Sequence, residues 1–146
     1  MGYAFPENVP QGDAAFRAWG KNLDELFKES GNALFEIMAG IRPPDPGKGS
    51  GESREINLAG NDPEILLFDF LNEILYYKDA ESVLLQPRSV RVSQVEGKEY
   101  RAAADTQLFL LIPGEQRGTD VKAVTLYRFY VKKINDGWEA GVLLDT

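Results

Sequence analysis

Residues 121–146 carry the pattern that most restricts the fold open to this chain. Val121, Val124, Leu126, Phe129, Val131 and Ile134 make a β-prone run, Asn135-Asp136-Gly137 supplies a turn whose Gly tolerates positive φ, and Trp138 to Leu144 reads as a return strand. A tail that ends in such a strand is expected to dock in a sheet rather than fray. Asp145 then holds a fixed position beside the carboxylate of Thr146. Two adjacent anionic oxygen groups are candidate ligands for a hard cation, which prefers carboxylate and carbonyl oxygens; the competing reading is a solvated strand end.

The 146 residues fit one domain, 1–146, and the 43% hydrophobic content is enough for a core. Cys and His are both absent. Thiol nucleophiles, Ser-His-Asp and Cys-His mechanisms, and imidazole or thiolate metal sites are therefore excluded, and catalysis by the chain alone is disfavoured. The start, MGYAFPENVP, shows no signal-peptide pattern, and no apolar run reaches the roughly 18 residues of a membrane span. A soluble, cytoplasmic protein with no membrane partner is expected. A net charge of −7 opposes nucleic-acid phosphates at long range. Lys122, Arg128, Lys132 and Lys133 put local positive charge on the hairpin, read as a solvated strand edge guarded by cations.

Asp13 to Trp19, ending at Gly20, reads as a strand. In the following helix Asn22 is the expected cap, Glu25 reaches back to it, and Leu23, Leu26, Phe27, Leu34, Ile37 and Met38 share a face. A flexible Pro/Gly-rich loop is expected at about 41–53, within which GKGSG at 47–51 lacks the spacing of a phosphate loop. Arg54 to Ala59 alternates as a strand. Asp62 and Pro63 then open a second helix, apolar almost all round from Ile65 to Tyr77 and expected to be the more deeply buried of the two. Asp69 and Glu73, four apart on it, suit either a solvated stripe or an acid and base pair. Strands over 83–95, 100–112 and 121–146 complete the order β, α, β, α and meander. That order predicts an α+β fold with two helices packed on one face of a mainly antiparallel sheet.

These blocks resemble the archease family over nearly the whole chain. FRAWGKNLDELFKESGNALFEIM at 16–38 is similar to the family's aromatic-Gly turn and first helix, and LLFDFLNEILYYKDAE at 66–81 to its second helix. VKAVT at 121–125 and LLDT at 143–146 complete the pattern. The family's Asp-His-Thr-Ala-Asp aligns with Val9-Pro10-Gln11-Gly12-Asp13, so only its last Asp is kept. The His that follows the Val-Lys-Ala-Val-Thr block is replaced too, by Tyr127.

The resemblance implies an accessory protein of a GTP-dependent RNA-splicing ligase used in tRNA splicing. The ligase guanylylates itself with GTP and joins RNA ends bearing a 3′-phosphate or 2′,3′-cyclic phosphate to 5′-hydroxyl ends, so RNA is met only indirectly. Carried over residue by residue, the resemblance assigns Asp13, Lys122 and Asp145 to ligase activation. It places Asp13 and Asp145 in a divalent-metal cluster; with the carboxylate of Thr146 beside Asp145, such oxygen donors suit Ca²⁺ or Mg²⁺. Second comes an archease-like ligand- or protein-binding module without a ligase partner, and third a free-standing hydrolase using Asp69 and Glu73.

Overall fold

A computed structural model describes residues 1–9, 12–45, 49, 51–111 and 118–146. Pro10, Gln11, most of GKGSG and the 112–117 stretch lie outside the described residues. The elements run β1 (Gly2–Ala4), β2 (Asp13–Gly20), α1 (Leu23–Ala39), β3 (Ser53–Gly60), α2 (Pro63–Glu81), β4 (Val83–Val95), β5 (Glu99–Leu110), β6 (Ala123–Ile134) and β7 (Gly137–Asp145). The α+β class holds, with antiparallel pairing throughout. The single expected sheet is instead two: a four-stranded one ordered β1-β2-β7-β6 and a three-stranded one ordered β3-β5-β4.

Helix starts follow their local chemistry. The Asn22 side chain accepts the Glu25 N–H at 2.9 Å, but the Glu25 carboxylate reaches one residue further back than expected, to the Lys21 N–H at 2.8 Å. Asp62 accepts the Glu64 N–H at 2.7 Å, with Pro63 at the first helical position, where its missing N–H costs nothing. The same N-terminal turns plug sheet edges. Asp24 accepts the Val92 N–H of β4, and Glu64 accepts the Val131 N–H of β6.

The depth of the two helices is the reverse of the expectation. α1 packs against β2 of one sheet and β4 of the other, and buries Leu26, Phe27, Ala33, Leu34, Phe35 and Met38 together with Glu29, Ser30 and Asn32. A Cβ on Gly31 would collide with the Pro87 ring and stand 3.4 Å from Phe70 Cε2, so glycine sets how closely β4 approaches. In α2, by contrast, Ile65 is 45% and Tyr76 59% exposed. A pattern apolar all round shows that a helix is crowded, not which of two crowded helices is central.

The loop after α1 is tethered where it is described. Gln86 and Gln107, paired across β4 and β5, are buried; Gln86 donates to the Pro44 carbonyl at 2.8 Å, and Ser53 already belongs to β3. Asp69 and Glu73 are half-buried on α2, and their side chains make no hydrogen bond or ion pair with other described residues.

Lys78, near the end of α2, is 7% exposed and reaches three oxygens: the Val121 carbonyl at 2.6 Å, Asp120 Oδ1 at 2.9 Å and Asp79 Oδ1 at 3.1 Å. Burial works against its charge, but the bonds to Asp120 and Asp79 prevail and raise its pKa. The same bond to Lys78 lowers that of Asp120. The raised lysine supports the fold below its ordinary pKa and loses that support as pH rises through the raised one; the lowered Asp120 loses its support as pH falls through its own. The latch therefore holds across neutral pH.

Replacing Lys78 by Met keeps the volume and strips the latch, leaving the buried-side Val121 carbonyl without its donor. The expected cost is about 1–2 kcal/mol in denaturant unfolding, with faster hydrogen exchange at the Lys122 amide. Glu29 offers an opposite test: burial raises its pKa, so its charge costs stability at neutral pH and the cost fades as pH falls through the raised value. Thermal melts should show Glu29→Gln more stable than the parent at pH 7, with the gap closing in acid.

Candidate functional site

The first sheet gathers the three residues that the sequence carried over. Asp13 opens β2 directly opposite Asp145 of β7, and Asp145 faces Ala123 of β6 on its other side. Directly paired residues of antiparallel strands project to the same face, so both carboxylates stand side by side on the sheet. Lys122, one residue before β6, donates its backbone N–H to the Asp145 carbonyl at 2.8 Å. Thr146 donates its amide to the Gly12 carbonyl at 3.2 Å and its hydroxyl to the same oxygen. The end of β7 is thus pinned from both sides.

Lys122 and Asp145 are exposed, while Asp13 and Thr146 are half-buried. Like charges directly opposite in a sheet repel, so the pair is an acceptor waiting for positive charge. Lys122 lies near enough to Asp120 to pull its pKa down slightly, after the larger effect of Lys78. The Lys78 latch holds Asp120 and Val121, so α2 reaches through that stretch to the residue whose amide grips Asp145.

The donor set suits a hard cation only in part. Two carboxylates with nearby backbone oxygens match the ligand preferences of Ca²⁺ or Mg²⁺. Among the described residues, however, no group of three or more His, Cys, Asp or Glu side chains comes together. Val9, aligned with the family's first Asp, is half-buried and has no charge to add. Asp69 and Glu73 belong to α2 and not to this rung of the sheet.

Two features had no reading in the sequence. One is Lys78, a lone cation in an apolar helix, whose polarity was the available signal. The other is a bulge in β6: Thr125 pairs with Leu143 and Tyr130 with Gly141, so residues 126–129 face Val142 alone. The phase slip was present in the sequence, since Val124 and Phe129 are both buried yet stand an odd number of residues apart. β6 is an edge of its sheet, as the Lys-rich pattern suggested, and Lys132 and Lys133 lie over the Tyr130 and Trp138 rings at 5.0 and 5.9 Å. No helix among the described residues is long and apolar enough to cross a membrane.

Known proteins share both sequence and fold with this chain. The Archease protein family matches over residues 3–146. The protein archease of Methanosarcina acetivorans is 33% identical over 141 residues, covering 91% of this chain and 89% of that protein. That of Archaeoglobus fulgidus is 31% identical, with 99% of each covered. The solution structure of Protein 1598 of Methanobacterium thermoautotrophicum superposes with a TM-score of 0.80 at 26% identity, covering 99% of both chains. A Thermotoga maritima structure described as an archease and possible chaperone gives 0.59 at 23% identity over 97% of both, a likeness of fold. Matched from its third residue to its last, with two antiparallel sheets about two helices, the chain belongs to the archease family.

Proposed function

We propose that this archease is a non-catalytic, cytoplasmic accessory protein that activates a GTP-dependent RNA-splicing ligase and allows it repeated turnover in tRNA splicing or RNA repair. The observation that carries this reading is the convergence of Asp13, Lys122 and Asp145 at one end of one sheet. The absence of His and Cys supports an assisting role over independent hydrolysis. The ligase performs the covalent chemistry with GTP. This chain supplies a rigid anionic pair that holds a divalent cation or organises the ligase's own metal and nucleotide, while the Lys122 ammonium meets an anion, a ligase carboxylate or a nucleotide phosphate. A binding module without a ligase partner is the second reading, favoured by Val9 and Pro10 where the family has an acid and an imidazole.

A ligation assay with limiting ligase from the same genome separates the two. Added protein should convert a single round of joining into many, and no change would sink the ligase role. Ala substitution of Asp13, Lys122 or Asp145 should abolish the stimulation while unfolding free energy stays within about 0.5 kcal/mol of the parent, since none fills the core. Asp69→Ala and Glu73→Ala should stimulate normally; inactivity of a folded Glu73→Ala protein would move the site to α2.

The cation is tested by calorimetric titration with Ca²⁺ and Mg²⁺. With so few charged ligands, Ca²⁺ affinity is expected in the weak range of roughly 10⁻⁴ to 10⁻³ M. Ala123 faces Asp145 on the same rung, so Ala123→Asp should tighten Ca²⁺ at least about tenfold through added Coulomb attraction. If neither protein takes up metal, the metal role of Asp13 and Asp145 is wrong.

A further inference from the structure

The face of the first sheet that carries Asp13 and Asp145 continues into a groove of about 520 Å³. Its floor follows from register. Two residues along the strands from the Asp13–Asp145 rung comes Ala15 opposite Leu143, and two further comes Arg17 opposite Gly141. With about 6.7 Å for each such step, the acid pair and the groove share one continuous surface. The Tyr130 ring lies across Gly141, where a Cβ would have to displace it. Tyr130 in turn donates to Glu139 at 2.8 Å, and Glu139 also faces Arg17 at 3.8 Å.

The walls are apolar and open to water. Phe5, on the segment after β1, is 41% exposed, and Tyr127, in the β6 bulge, is 63% exposed. Exposed aromatic residues gathered round a small-residue floor are the composition of a protein contact surface. Beside Tyr127 stands Arg128, also lining the groove, with its guanidinium 5.2 Å from the Tyr127 ring centre. Arg128 has a φ of +58°, a left-handed conformation that a non-glycine residue keeps only where its surroundings impose it. Unlike Arg17, it makes no ion pair with a described residue.

We propose that this groove docks an apolar, acidic segment of the partner ligase. An apolar side chain of that segment rests on Ala15 and Leu143 between Phe5 and Tyr127, and a carboxylate close to it in the chain meets Arg128. Charge selects the occupant. The charged side chains that line the groove, Arg17 and Arg128, are both cations in a protein whose net charge is −7, so the complement is an acidic segment and not a basic one. The placement deepens the proposed ligase role and rests on it: the groove supplies affinity next to the rung whose carboxylates act on the ligase centre.

Affinity for the ligase encoded in the same genome, measured by calorimetry, tests this separately from stimulation. Ala15→Phe fills the floor from the solvent side, and Arg128→Gly removes the charge while relieving the left-handed strain. Each should weaken ligase binding at least tenfold. Arg128→Gly should melt no lower than the parent, so its lost affinity cannot be lost folding. Lys98→Glu, in the β4–β5 turn of the other sheet, should bind as the parent does. If the parent binds and stimulates the ligase but Ala15→Phe and Arg128→Gly bind as tightly, the groove is not the docking site and the ligase role stands. If the parent binds no ligase, the proposed function falls and this inference with it. Self-association in sedimentation that Ala15→Phe abolishes would assign the groove to a second copy of the chain and overturn the proposal.

Discussion

The pairing of β2 with β7 is the constraint on which the rest depends. It joins two stretches far apart in the chain at the middle of the four-stranded sheet, in unbroken register from Asp13–Asp145 to Gly20–Trp138. Because side chains alternate across a strand, that register turns Phe16, Ala18, Ala140, Val142 and Leu144 into the core and leaves Asp13, Ala15, Arg17 and Leu143 on the other face. A slip of one residue would exchange the faces, burying carboxylates and exposing the core. The stability of the fold and the geometry of the acid pair are therefore one choice.

Close packing makes that choice rigid. α1 touches both sheets, with Gly31 admitting the bulged part of β4 at Pro87. Its fully buried Leu26, Phe27, Leu34 and Phe35 each contribute roughly 1.5–3 kcal/mol by leaving water. On the other flank Lys78 converts a helix end into a clamp on the segment that leads into β6, holding Asp120 and Val121 so that the Lys122 amide meets Asp145. The desolvation of the ammonium is offset by two carboxylates and a carbonyl. The return lies in placement more than in stability.

Electrostatically the molecule divides its labour along one face. At one end of the outer surface of the first sheet two carboxylates repel each other; further along, Arg17 shares Glu139 with Lys132, while Arg128 makes no ion pair with a described residue and lies beside an aromatic wall. In a chain of net charge −7, an arginine with no ion pair among the described residues thus stands beside an apolar groove, on the same face as two opposed aspartates. Both features lie on a chain that has neither Cys nor His.

Much of this was legible in the chain. Periodicity and capping located both helices, since Asn22, Asp62 and Pro63 act within a single turn, and the Asn135-Asp136 turn set the last hairpin. Asp13, Lys122 and Asp145 were legible by resemblance, and the structure brings them together. The division into two sheets, the greater burial of α1, the Lys78 latch and the groove over Ala15 were not. These depend on which distant surfaces meet: alternation says that a strand has two faces, but only the packed chain decides which neighbours each face finds. The sequence by itself determined the elements and their chemistry, because propensity, caps and turns are local. The tertiary structure alone decided the pairing of Asp13 with Asp145 and the strained stance of Arg128, because both follow from register between strands that the chain brings together only on folding.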